Sequence, residues 1–182
     1  MQNIIRKTLI STLLVFFSAV TLADYENAAI AQLVIKKSGT TPAKAFELVN
    51  KAFPGLIYEY DLEMQDVGLV YEIRTINPDN NKKHTAYVNL STGQIQSARE
   101  YASNTWFEKS YHKAVIDKAV KVKFPLDKAI SMVLDKYHGF VIDGEIQAKK
   151  NVDYYSIELI TENGKEKFLV DIEDQEIVPV VK

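Results

Sequence analysis

The chain has 182 residues, with 22 Lys and Arg against 24 Asp and Glu, a net charge of −2 and 47% hydrophobic residues. Mixed, mildly acidic charge argues against a nucleic-acid surface, and the hydrophobic fraction suffices for a packed core. No cysteine is present, which excludes disulfides, a thiol nucleophile and a lipid-modified N-terminal Cys, so stability must come from packing.

Arg6 and Lys7 open a basic start, no charge follows from Thr8 to Ala23, and Thr21-Leu22-Ala23 offers small residues at the −3 and −1 positions of a cleavage site. That layout predicts a signal peptide over residues 1–23, cleaved after Ala23, and a periplasmic or secreted protein. The uncharged run of 16 residues is short of the roughly 20 that span a bilayer, so no stable membrane anchor is expected after cleavage. Losing Arg6 and Lys7 takes the net charge from −2 to −4.

Next comes "QLVIKK" (32–37), read as an extended segment. A helix is predicted after it: Ala45, Leu48, Val49, Ala52 and Phe53 make one apolar stripe, Thr41 suits the N-cap, Pro42 the first helical position and Gly55 the stop. "LVYEIRTI" and "AYVNL" alternate as strands, and a polar corner, "STGQ", leads to a last short strand around Ile95. Residues 97–119 read as a helical connector. Thr105 and Glu108 form a capping-box pattern, and Phe107, Tyr111 and Val115 recur at i+4, giving a helix from about Trp106 to Ala119. Trp106 is expected to anchor that segment internally.

Beyond it the chain repeats itself. Shifted by 84 residues, "AKAFELVNKAFPGLI" falls on "DKAISMVLDKYHGFV", and Tyr71, Ile73 and Ile76 fall on Tyr155, Ile157 and Ile160. The shift then becomes 82, with Val88 on Val170, Leu90 on Ile172 and Ile95 on Ile177; the difference falls in a hairpin loop. "AVKVKF" (119–124) stands where an extended segment precedes the second helix, and "ENGK" (162–165) predicts a tight type I′ hairpin with Asn-Gly at its centre. The fold class expected is α+β: two tandem repeats, each one helix packed on a small antiparallel β-sheet, joined by a helical connector. The boundaries are 24–96 for repeat 1, 97–119 for the connector and 120–182 for repeat 2. Val70, Ile76, Tyr87, Tyr154, Ile160 and Leu169 point to the outer sheet face by alternation, so the other copy, the connector or a partner should cover part of it.

The repeated elements resemble the PepSY family. "AKAFELVNKAFPG", "GLVYEIRTI" and "AYVNLSTGQI" carry the likeness in the first copy, over about 41–96; the second, over about 124–178, has Asp174-Gln175 where Thr92-Gly93 stands in the first. The resemblance implies a non-catalytic module of the kind found in propeptides of secreted peptidases and in cell-envelope proteins, with peptidase inhibition in trans as the leading role. It implies no catalytic residues.

The residues themselves carry no catalytic signature. His84, His112 and His138 stand far apart, with no H-E-x-x-H pair, and read as scattered surface histidines. There is no G-x-S-x-G elbow. "DIEDQE" (171–176) lacks the Gly and the length of an EF-hand loop and reads as a solvated strand corner. No cofactor or metal is expected, and the oligomeric state is not legible. The expected partner is a protein, foremost a secreted or periplasmic peptidase, taken by strand addition with Tyr87 and Tyr154 as anchors. The alternative is a cell-envelope scaffold or binding protein with a non-protease protein or wall-polymer partner.

Overall fold

Thr41 opens the first sheet-packing helix as its N-cap, its side-chain oxygen accepting from the Lys44 N–H at 3.3 Å, with Pro42 at the first helical position. In the computed structural model, which describes residues 19–37, 39–102 and 110–181, that helix is α2 (Pro42–Ala52), preceded by α1 (Ala19–Lys37). Strands β1 (Leu56–Gln65), β2 (Gly68–Asn77), β3 (Lys82–Asn89) and β4 (Ile95–Ala102) follow. Then come α3 (Ser110–Val122), α4 (Leu126–Lys136), β5 (Phe140–Lys149), β6 (Val152–Thr161), β7 (Gly164–Asp171) and β8 (Ile177–Pro179). A helix followed by a four-stranded meander thus occurs twice.

The two meanders do not form separate small sheets. They join edge to edge in one eight-stranded antiparallel sheet, ordered β4-β3-β2-β1-β5-β6-β7-β8. The seam pairs only Glu59 with Glu145, Tyr60 with Gly144 and Asp61 with Asp143. Tyr60 and Gly144 are 84 positions apart, so a local two-fold axis passes between them. Size complementarity permits this. Tyr60 is fully buried and donates its hydroxyl to the Val141 carbonyl at 3.2 Å, while the space above Gly144 is filled by Leu126 and Ile130 of α4.

Packing follows the stripes. Ala45, Phe46 and Val49 of α2 and Leu126, Ala129, Ile130 and Val133 of α4 are buried, on the sheet face that carries Tyr60, Tyr71, Ile73, Tyr155 and Ile157. Phe46 meets Tyr60 edge-on, with ring centroids 5.3 Å apart. Tyr71 and Tyr155 donate their hydroxyls to the carbonyls of Thr40 and Phe124, each at 2.8 Å. The same bond thereby fixes the chain entering each helix.

Five expectations are corrected. "QLVIKK" and "AVKVKF" are largely helical, as the ends of α1 and α3, because each helix lies against both β1 and β5 where those strands pair for only three residues. Residues 97–102, assigned to the connector, complete β4, and the described part of α3 runs from Ser110 past Ala119 to Val122. The "ENGK" hairpin exists, but Thr161 pairs with Gly164 and Asn163 is not left-handed; Gly164 takes the positive φ of 114°. Both central residues are left-handed instead at Lys150-Asn151, the β5–β6 turn. His84 is buried, as described below. The signal-peptide reading, the Thr105–Glu108 cap and Trp106 fall wholly or mostly outside the described residues. Among the described residues no helix is long and apolar enough to cross a membrane.

Candidate binding surface

The sheet face away from α2 and α4 is charged, because the positions alternating with the core residues are acids and bases. Arg74 on β2 holds Glu59 of β1 at 2.9 Å and Glu72 at 2.6 Å. On the other wing Lys165 and Lys167 of β7 hold Glu158 of β6 at 2.6 and 3.3 Å. Between these clusters, Asp61 and Asp143 oppose each other across the seam. Burial, with Glu63, Glu72 and Asp24 nearby, pushes the Asp61 carboxyl up to about 6. Burial, then Asp61, Glu158 and Glu145, pushes Asp143 up to about 7.

Tyr87 and Tyr154 both lie on this face but are not brought together. Tyr87 is on β3 and Tyr154 on β6, four strands apart in the sheet order, or roughly 19 Å at about 4.8 Å per strand. Tyr87 is half-buried, and burial together with the Glu72 carboxylate raises its hydroxyl pKa. Tyr154 is buried and donates to Gln147 Oε1 at 3.0 Å. Around it Val152, Leu169 and Val178 line an apolar groove of about 470 Å³, rimmed by Lys149, Lys150, Asp174 and Glu176.

The two ends of the sheet differ. β8 is three residues long and finishes at Pro179, a blunted edge. β4 is eight residues long, with Gln96, Ser97, Ala98, Arg99 and Glu100 all exposed. An edge strand offers every second N–H and C=O to a further strand, and charged Arg99 and Glu100 at its middle discourage indiscriminate pairing. Glu100 is also tied inward, to Lys82 at 2.7 Å and His84 Nε2 at 3.1 Å. Sequence reasoning missed this surface because "IQSAREYA" carries only a weak apolar alternation.

The polar groups elsewhere serve structure. His84 is 9% exposed and stacks on Phe53 at 4.6 Å. His138 is exposed, and the His112 side chain lies outside those described. In "DIEDQE", Asp171 Oδ1 accepts from the Glu173 and Asp174 N–H groups at 2.7 and 2.8 Å. Asn89 Oδ1 does the same for Ser91 and Thr92 in the first corner, so this carboxylate holds a turn. Among the described residues no three His, Asp or Glu side chains are grouped to hold a metal.

Residues 41–99 match the family model described as "peptidase propeptide and YPEB domain", PepSY. No curated protein matches the sequence. Among solved structures, a provisionally named lipoprotein from Clostridium difficile 630 is similar at 14% identity over 73% of this chain and 86% of that one, with a TM-score of 0.38. A likeness that loose supports no conclusion about fold or function.

Proposed function

We propose that this chain, whose residues 41–99 are a PepSY domain, is an exported binding module that takes an extended segment of a secreted or periplasmic peptidase along β4 and restrains it. PepSY is a non-catalytic module related to peptidase propeptides, and a propeptide acts on its enzyme by occupying it. The observation that carries the reading is the β4 edge: an eight-residue strand that ends the sheet, exposed along its middle, with Ile95 to Arg99 inside the matched segment. Strand addition draws affinity from main-chain hydrogen bonds and selectivity from alternate side chains. Tyr87 lies one strand in from that edge, within reach of a side chain on the added strand.

The second meander is, on this reading, a copy of the first that braces it. The same helix-entry tyrosine bond, the same corner at Asn89 and Asp171, and matching bulges after Ile57 and Val141 support a duplication. A lone unit of about 65 residues is marginal; sharing a sheet and two flanking helices removes one edge from each. Tyr154, buried in its own wing, is then a packing residue of the brace and Tyr87 the anchor.

Adding the mature protein to a panel of secreted metallopeptidases and following peptide hydrolysis tests this. At least one enzyme should slow, with inhibition that an excess of a β4 peptide (Ile95–Ala102) does not reproduce, since the isolated strand lacks the sheet. Unchanged rates across the panel would remove the reading.

A further inference from the structure

A small pocket of about 160 Å³ opens where α1 meets the seam, lined by Asp24, Asp61, Asp143, Glu158 and Lys165. Four carboxylates face one ammonium there. Lys165 is divided between Asp24 at 2.9 Å and Glu158 at 2.6 Å, and Lys167 reaches Glu158 from outside the lining at 3.3 Å. The surroundings add more acid: Glu63 and Glu72 act on Asp61, and Glu145 acts on Asp143. Arg74, the cation on β2, is engaged by Glu59 and Glu72. Excess negative charge is therefore concentrated at the three-residue seam that joins the two meanders.

The sequence puts a new cation at this point. Cleavage after Ala23 makes Asp24 the first residue, and α1 runs through that junction from Ala19. The first two residues past it are tied to the β6–β7 turn: Asp24 by its ion pair with Lys165, and Tyr25 by its hydroxyl, which accepts from the Lys165 N–H at 2.7 Å. Whatever is removed upstream, Asp24 stays fastened over the acids.

We propose that processing at Ala23–Asp24 completes this pocket, the α-ammonium of Asp24 supplying the cation that the seam lacks. The step is ordinary hydrolysis by an envelope signal peptidase: water adds across the bond, Ala23 leaves as a carboxylate, and Asp24 keeps the nitrogen, which takes up a proton. A free α-amino group has a pKa near 8, and adjacent carboxylates raise it, so the group is charged at neutral pH. A cation at a helix N-terminus opposes the helix dipole, but the carboxylates gathered in the pocket that Asp24 lines outweigh a half-charge. Processing thus does more than release the chain. It locks α1 onto the seam, and the unprocessed precursor holds its halves together less firmly. This inference rests on the export reading above.

The test compares two chains made by removing an N-terminal fusion: one starting at Asp24, the other carrying Ser-Gly-Ser ahead of it, which moves the ammonium by up to about 10 Å. At pH 7 the Asp24 chain should melt about 2–4 °C higher. The gap should narrow by pH 5, where Asp61 and Asp143 are largely protonated while Glu158 stays ionised, and shrink in Asp143→Asn. Equal melting at pH 7, or a gap indifferent to both pH and Asp143→Asn, would overturn the proposal. Mass spectrometry of the protein recovered from the cell envelope separates the two readings. An N-terminus other than Asp24 would overturn it by removing the junction, whatever the melting curves show.

Discussion

Gln175 sits at φ 58°, the left-handed position that Gly93 fills at φ 66° in the first corner. Around both, the hydrogen bonds match: Gly93 and Gln175 donate to the carbonyls of Asn89 and Asp171 at 2.8 and 3.1 Å, and those residues in turn donate to Gln94 and Glu176, each at 2.9 Å. A side-chain-bearing residue in that region carries a strain of roughly 1–2 kcal/mol, partly offset by the backbone entropy that glycine loses on folding. Gln175→Gly is accordingly expected to raise stability by about 0.5–1 kcal/mol in urea unfolding. Gly93→Ala should lower it by about 2–3 kcal/mol, because a Cβ there would run into Thr40 Oγ1 as well as incur the strain. A loss of stability on Gln175→Gly would show that the corners are not alike. The Thr41 cap and both apolar stripes were legible because each is a local pattern, whereas the helix stops at Ala52 with Phe53 as its C-cap, ahead of the expected Gly55. The left-handed Gln175 was not legible, since nothing in "DIEDQEI" announces it; only its alignment with "NLSTGQI" does.

Among the elements, β1 and β5 carry the architecture and were the hardest to see. A bulge after Ile57 in one and after Val141 in the other breaks the alternation, and Gly144 sits mid-strand, so neither segment stood out as a strand. What they build is a seam in which acid faces acid. The folded pKa values of Asp61, about 6, and Asp143, about 7, lie above the unfolded value near 3.9. Between about pH 4 and 7 the native state therefore binds more protons than the unfolded chain, and stability falls as pH rises through that window. Both groups retain some solvent, so the loss is about 1–2 kcal/mol in all rather than the full shift. Urea unfolding at pH 5 and pH 8 of the chain carrying Ser-Gly-Ser ahead of Asp24 checks it: that chain should be more stable at pH 5, and Asp143→Asn should flatten the difference. Greater stability at pH 8 would mean that the seam acids are compensated by charges other than those described.

At the scale of the whole molecule, joining two meanders through their first strands places the last strand of each at opposite ends of one sheet. The two ends then receive different treatment, β8 being short and closed by Pro179 and β4 long and exposed. That a helix and a meander follow each other twice was readable from sequence because the matched residues are core residues at fixed spacing. The single sheet was not, because strand-to-strand pairing across three residues leaves no local trace. The asymmetry of the edges follows from the pairing, so the proposed binding surface was legible only as "an outer face", and β4 beyond Gln96 was absorbed into the expected connector. Amide hydrogen exchange of the mature protein, alone and with a peptidase that it slows, tests the β4 account most directly. The account predicts new protection centred on Ile95–Ala102, with the β8 wing unchanged. Protection confined to the Val152–Val178 groove, with β4 exchanging as in the free protein, would contradict it.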